Sequence, residues 1–113
     1  TKPDDDLPDL KSLLAYGDSG AMLDRLIAET EKDMQELDKA GANLDRKALA
    51  DLSHRLRSSW AVIRADNSLW HLYNCIQLEG SDTELQQAIK VVLKKGDMII
   101  KLAKEERRKC DNG

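Results

Sequence analysis

The sequence contains no phenylalanine, and aromatic residues of all kinds make up only 4% of it. Sheets are rich in aromatic and β-branched residues, whereas this chain is dominated by Ala, Leu, Glu, Lys, Asp and Arg, a composition that favours helices. Proline occurs only at Pro3 and Pro8, so this helix breaker is confined to the opening residues. These absences predict an all-α fold.

Cysteine is scarce, because only Cys75 and Cys110 are present and they lie far apart. Two such cysteines match no metal-ligand spacing and are too few for a disulfide framework, so we expect no metal site and a reducing, cytoplasmic setting. No run of about 18 apolar residues and no signal-peptide pattern occurs. We therefore expect a soluble segment without direct membrane contact, although a longer parent protein could be membrane-anchored.

Positive charge does not accumulate either, since the net charge is -3, and the opening segment TKPDDDLPDL has four acidic residues, Asp4, Asp5, Asp6 and Asp9. A chain without a basic field is not expected to bind nucleic acid. The opening segment is polar and proline-bearing, like an interdomain linker. Residues 1–9 are therefore predicted to be a linker within a longer protein.

Apolar residues recur at helical spacing in four long segments. Short connections make such segments antiparallel neighbours, because none can bury its apolar face alone. We predict one monomeric domain over residues 10–109, an antiparallel four-helix bundle with a short extra N-terminal helix around residues 10–14, and a tail over residues 110–113. The predicted core positions are Leu23, Leu26, Ile27, Met34 and Leu37; Leu49, Leu52, Leu56, Ser59 or Trp60, and Ile63; Leu69, Leu72, Tyr73 and Ile76; and Leu85, Ile89, Val92, Ile99 and Ala103.

Residues that favour turns and caps predict where these helices begin and end. Gly96 lies inside the last segment, where glycine costs about 1 kcal/mol relative to alanine. A turn is predicted at residues 17–20, and the first long helix should stop at Ala40–Gly41. The second should have its N-cap at Asn43 and end near residues 65–67. The third should have its N-cap at Asn67 or Ser68 and be followed by a left-handed residue at Gly80, and a capping box at Ser81–Glu84 should begin the fourth.

His54 lies two residues from both Leu52 and Leu56, so at about 100° per residue it should point away from the core. Its neighbours on the same helix face are Ala50, Asp51, Arg57, Ser58 and Ala61. A low surface of this kind suits a nucleophile that must enter another protein's pocket, and the basic neighbour could hydrogen-bond a phosphoryl group. A solvated histidine without a role is the alternative interpretation.

The segment LSHRLRSSWAVIRA, residues 52–65, resembles the phosphorylation-site helix of histidine-containing phosphotransfer (HPt) domains. In that helix the histidine is followed by a leucine, a basic residue, a small residue and serine or alanine. Amphipathic helices before and after the motif extend the resemblance over roughly residues 10–103. HPt domains carry phosphoryl groups between the aspartates of response-regulator receiver domains, and the natural parent protein would be a hybrid sensor histidine kinase.

The resemblance implies that His54 is the phospho-accepting residue. It places Arg57 where a lysine close to the phosphate is usual and Ser58 where glycine is usual. The arginine keeps the positive charge of the lysine, and the serine is still a small residue. Trp60 is larger than the residue that is common at this position of the HPt motif, so partner choice or helix packing could differ from those of other HPt domains. The receiver domain would supply the Mg²⁺, so the chain would need no cofactor of its own.

The predicted partner-binding residues around His54 are Ala50, Asp51, Arg55 and Ala61. Arg55, together with Arg57 and Arg64, could complement an acidic receiver pocket, although a solvated helix face explains these charges about equally well. His71 has no carboxylate or second histidine at ligand spacing and is given no role. Trp60 and Trp70 could line a partner groove, but core or core-edge positions are favoured for large aromatics at helical spacing.

Two functions therefore follow from the sequence. The first is a phosphoryl carrier that is not itself an enzyme, because the sequence has no motif of an ATP-binding domain and no recognisable set of catalytic residues. The alternative is a non-catalytic helical interaction module that binds receivers or other partners without carrying phosphate, since a helical bundle alone implies no chemistry.

Overall fold

The computed structural model describes residues 7–15 and 18–112, and it is all-helical over these residues. Five helices follow one another along the chain: α1 Lys11–Leu14, α2 Ser19–Ala42, α3 Arg46–Val62, α4 Asn67–Gln77 and α5 Asp82–Asn112. The predicted turn at residues 17–20 is partly wrong, because Ser19 and Gly20 already belong to α2; Gly17 lies outside the described residues.

The helices pack around one core that contains residues from all four long helices. The longest helices, α2 and α5, lie against each other, and α3 packs on α4, α4 on α5, α2 on α3 and α1 on α2. Trp60, rather than Ser59, occupies the uncertain core position on α3 and is 1% exposed. Periodicity therefore identified the core-facing side of each long helix. Four predicted core residues are only half-buried, however, because they lie at the edges of their apolar faces: Leu26, Ile27, Tyr73 and Ile76.

Gly96 does not interrupt α5, because the helix runs unbroken from Asp82 to Asn112. A Cβ at this position would overlap Sδ of Met34 on α2. The glycine thus lets α2 and α5 approach closely, a gain in packing that offsets its low helix propensity.

Helix starts differ from the predicted caps at two places. Asp45, not Asn43, caps α3, because its Oδ1 accepts a hydrogen bond from the Ala48 amide at 3.1 Å. Helix α4 begins after Asp66 without a side-chain cap, so the prediction of Asn67 or Ser68 was wrong. The capping box before α5 is present, since the Glu84 amide donates to Ser81 Oγ at 3.1 Å.

Two residues beyond the end of each of α2, α3 and α4 lies a residue with positive φ: Leu44 at 50°, Arg64 at 55° and Glu79 at 54°. At the end of α4, the Gly80 amide donates to the Cys75 carbonyl at 2.9 Å, which closes a Schellman-type turn around Glu79. Gly80 itself was therefore wrongly predicted as the left-handed residue. At the end of α3, Ala65 closes the same turn on the Trp60 carbonyl at 2.8 Å, so α3 ends at Val62, earlier than expected.

Replacing Glu79 with glycine is expected to raise the free energy of unfolding by roughly 1 kcal/mol. A left-handed conformation costs about 1–2 kcal/mol for a residue with a Cβ, and glycine avoids most of this cost. Urea denaturation of Glu79→Gly measures the change. Gln77→Gly, two residues earlier and helical, is the control and should lower stability instead. A destabilised Glu79→Gly protein would contradict the assigned backbone conformation.

The structure also describes residues on both sides of the predicted domain, residues 7–9 and residues 110–112. Pro8 is buried and the Asp9 amide donates to the Ile63 carbonyl, just beyond α3, at 2.7 Å, whereas Leu7 is 66% exposed. Residues 1–6 lie outside the described part of the chain. The predicted tail is helical as far as Asn112, where α5 ends.

Candidate functional site

His54 lies in the middle of α3 with its side chain exposed to solvent. Leu52 and Leu56, on either side of it in the sequence, are 6% and 3% exposed and anchor the opposite face of the helix in the core. The hydroxyl of Ser53, also buried, donates to the Leu49 carbonyl at 2.7 Å, which satisfies this polar atom within the helix. The core side of α3 therefore fixes the direction in which His54 points.

Small or short side chains surround the histidine on its own helix. Asp51, Ser58 and Ala61 are exposed, and Ala50 is half-buried. Because none of these side chains is large, the imidazole stands on a low surface that another protein can approach closely. All the residues that the sequence grouped around His54 by helical spacing lie on this helix, within about two turns.

Arg57 contacts the histidine directly. Its Nη2 donates a hydrogen bond to Nδ1 of His54, one turn earlier on the helix. Within the part of the chain that the structure describes, Nδ1 is the only ring nitrogen of His54 that is hydrogen-bonded. The exposed ring thus has Nε2 without a hydrogen bond to the described residues and a positive charge beside Nδ1.

Helix α4 supplies an aromatic surface under Arg57. The guanidinium carbon of Arg57 lies 4.1 Å from the ring centroid of Trp70 and 4.8 Å from that of Tyr73. Trp70 is 45% exposed, and its Nε1 donates to Asp66 Oδ2 at 3.1 Å. Sequence reasoning missed this role because Trp70 and Tyr73 meet Arg57 only through the packing of α3 on α4, and no spacing within one helix signals it.

Arg55, predicted to help bind a partner, already has partners within the chain. Its Nη2 lies 3.1 Å from Asp33 Oδ1 and 2.8 Å from Glu36 Oε2, both on α2. The charge that was expected to attract an acidic receiver pocket is therefore paired across the α2–α3 contact. Arg64 is exposed, but it lies at the left-handed residue beyond the end of α3, away from the centre of the helix.

Burial raises the pKa of Asp33 above its usual value, and the positive charge of Arg55 opposes this rise. A carboxyl group with a raised folded-state pKa favours the folded state in its protonated form. Its contribution to stability is present below the unfolded-state pKa and is lost as the pH rises through the folded-state value. The ionised form of Asp33 at neutral pH therefore stabilises the fold less than the protonated form does, despite its ion pair.

Asp33→Asn is accordingly expected to be at least as stable as the wild type at pH 7, and the difference should vanish near pH 3, where the carboxyl is protonated in both states. Denaturant unfolding at the two pH values measures this. Asp38→Asn, at an exposed carboxyl on the same helix, is the control and should give no such pH-dependent gain. A wild type clearly more stable than Asp33→Asn at pH 7 would show that the attraction of Arg55 outweighs burial.

The other candidate groups do not form a second reactive cluster. His71 is exposed on α4 and borders a groove with Asn74, Cys75 and Glu84. Over residues 7–15 and 18–112, no group of three His, Cys, Asp or Glu side chains is arranged to hold a metal ion. Among the same residues, no helix is both long and apolar enough to cross a membrane.

Against this geometry, comparisons of the chain with protein-family models, with curated proteins and with solved structures return no match.

Proposed function

We propose that this chain is a histidine-containing phosphotransfer domain, in which His54 accepts a phosphoryl group from the phospho-aspartate of a receiver domain and passes it to another receiver aspartate. The observation that carries the proposal is an exposed histidine in the middle of a helix, flanked by small side chains, with Arg57 bonded to its ring. The resemblance of residues 52–65 to the phosphorylation-site helix supports it independently of the fold.

The proposed architecture is an antiparallel four-helix bundle of α2 to α5, with α1 as the short extra helix. The pairs of packed helices support it, since α2–α3, α3–α4, α4–α5 and α5–α2 close a ring. The connections between these helices are short, covering residues 43–45, 63–66 and 78–81, which favours antiparallel neighbours. Such a bundle displays α3 along one side for docking.

In the proposed reaction, Nε2 of His54 uses its lone pair to attack the phosphorus atom of the phospho-aspartate. The N–P bond forms as the bond between phosphorus and the aspartate oxygen breaks, and that electron pair leaves with the carboxylate. The phosphorylated ring then loses its Nδ1 proton to solvent. Mg²⁺ in the receiver neutralises phosphoryl charge, so the chain contributes positioning and one positive charge, that of Arg57.

The proposed docking surface consists of His54, Ala50, Asp51, Ser58 and Ala61, all on α3. Its side chains are small, so the imidazole can reach into a partner's pocket without movement of the backbone. The domain would act in the cytoplasm as a monomer, within a hybrid sensor kinase that could be membrane-anchored. It would not be an enzyme by itself.

A non-catalytic interaction module is the second candidate. The exposure of Trp70 favours it, because a large, partly exposed aromatic beside a low helix face can anchor a partner without any chemistry at His54. The two candidates differ in one observable: only the carrier becomes covalently phosphorylated.

The test mixes the chain with receiver domains that have been phosphorylated beforehand, and measures both complex formation and transfer of label. We expect label on the chain that is stable in base and lost in acid, as a phosphoramidate is. Receivers that bind the chain but never transfer label to it would establish the interaction module instead.

A further inference from the structure

We infer that Arg57, positioned by Trp70 and Tyr73, holds His54 in the tautomer whose proton is on Nε2, so that the resting ring cannot attack until Arg57 leaves Nδ1. The tautomer follows from the geometry of the site alone. Its consequence for phosphoryl transfer rests on the proposed function.

The assignment of the proton begins with the chemistry of the guanidinium group. Arginine has five N–H donors, no acceptor, and keeps its charge throughout the accessible pH range. The hydrogen bond between Arg57 Nη2 and His54 Nδ1 therefore has the arginine as donor and the ring nitrogen as acceptor. A neutral imidazole with its lone pair on Nδ1 carries its proton on Nε2.

This tautomer has no lone pair on Nε2, the nitrogen that faces a partner. For attack, the Nε2 proton must pass to solvent and Nδ1 must take up a proton, which requires Arg57 to release it. Nε2 then forms the N–P bond, the carboxylate leaves with the electron pair, and Nδ1 returns its proton to solvent. Nδ1 again has a lone pair in the phosphorylated ring, so Arg57 can bind it as in the resting state.

The rings on α4 limit where the guanidinium can go. An arginine on an exposed helix face samples many rotamers, but Arg57 lies over Trp70 and Tyr73 at 4.1 and 4.8 Å. Trp70 is in turn held by its hydrogen bond to Asp66. The two rings keep the guanidinium beside His54 both when it is bonded to Nδ1 and when it is released toward phosphoryl oxygens. They are positioning residues, because they act on the imidazole through Arg57.

The test records the two ring nitrogens of His54 by ¹⁵N NMR at a pH high enough for the ring to be neutral. In the wild type, we expect Nε2 to be protonated and Nδ1 to be unprotonated and to accept the hydrogen bond from Arg57. Arg57→Met keeps the length of the side chain but has no donor, and should raise the fraction of the Nδ1-protonated tautomer by about two- to tenfold. Arg55→Met is the matched control, since Arg55 pairs with Asp33 and Glu36 instead, and should leave the spectrum unchanged.

The aromatic residues are tested by two double variants. Trp70→Leu with Tyr73→Leu removes both ring faces and should shift the tautomer ratio part of the way toward that of Arg57→Met, by about two- to fivefold. Trp70→Phe with Tyr73→Phe keeps ring faces and should restore the wild-type ratio, which a merely structural role would not predict. Should the double leucine variant fail to fold, Trp70→Leu alone gives the measurement, because Trp70 is 45% exposed.

The inference would be overturned if the ratio of the two His54 tautomers did not change in Arg57→Met. It would also be overturned if this ratio were the same in the double leucine variant and the wild type. Failure of the proposed function looks different. In that case the ring nitrogens respond as described while no receiver phosphorylates the chain. Transfer to His54 with unresponsive ring nitrogens would keep the function and reject the positioning role.

Discussion

Trp60→Ala is expected to lower the free energy of unfolding by about 3–5 kcal/mol, the range for removing a buried tryptophan or phenylalanine. Trp60 is 1% exposed and is the largest of the fully buried side chains. The indole packs at the end of α3, and the Trp60 carbonyl also accepts the turn-closing bond from Ala65 at 2.8 Å. Since small domains are stable by about 5–15 kcal/mol, a loss of this size removes a large part of the total.

Urea denaturation followed by circular dichroism measures this loss. Trp70→Ala is the matched control, because Trp70 is 45% exposed, and loss of its ring contact with Arg57 and its exposed hydrogen bond to Asp66 should cost about 1 kcal/mol or less. Similar losses for the two variants would contradict the different burial of the two tryptophans. Because Trp60 is buried, its large side chain contributes to helix packing and not to the solvent-exposed face of α3.

His54→Gln is expected to abolish phosphoryl transfer to the chain, reducing the label to background. Glutamine keeps the polarity and approximate size of the side chain but has no nucleophilic ring nitrogen. Because His54 is exposed, the free energy of unfolding of the variant should differ from that of the wild type by no more than about 0.5 kcal/mol. Loss of transfer therefore cannot be ascribed to unfolding. Label transferred from a phosphorylated receiver over time is the measurement.

The chain provides its own control, because it has only one other histidine, His71, which is also exposed. His71→Gln should accept label at the wild-type rate. If His54→Gln were still labelled and His71→Gln were not, the carrier residue would be His71 and the motif on α3 would have been misread.

The core of this protein was predictable because its long helices each bury one apolar stripe. Leu23, Leu49, Leu69 and Leu85, one from each long helix, are all at most 1% exposed, as their spacing indicated. Helical periodicity is a property of the sequence alone, so it can be recognised without knowing which helices pack against one another.

Helix ends were less predictable because several residues compete for each cap. Asn43 and Asp45 are both good N-caps, but Asn43 is the C-cap of α2 and the left-handed residue Leu44 follows it, so Asp45 caps α3. At the end of α4, Glu79 takes the left-handed conformation although Gly80 follows it, since the turn closes on the Cys75 carbonyl. Backbone hydrogen bonding therefore overrides residue preference at these ends.

The exposure of His54 and the small residues beside it were predictable for the same reason as the core, because they follow from rotation about one helix. Contacts between helices were not. Trp70 and Tyr73 reach Arg57 from α4, and Asp33 and Glu36 reach Arg55 from α2. Each depends on how two helices are placed against each other, and helical spacing within one segment has no information about that placement.

The most direct test of the phosphoryl-carrier proposal is to locate the phosphorus atom after transfer. A ¹⁵N-labelled chain is incubated with a phosphorylated receiver domain and observed by NMR for coupling between ³¹P and the ring nitrogens. We predict coupling to Nε2 of His54 and to no other nitrogen. Phosphate on any other residue, or a receiver that binds the chain and leaves His54 unmodified, would contradict the proposal.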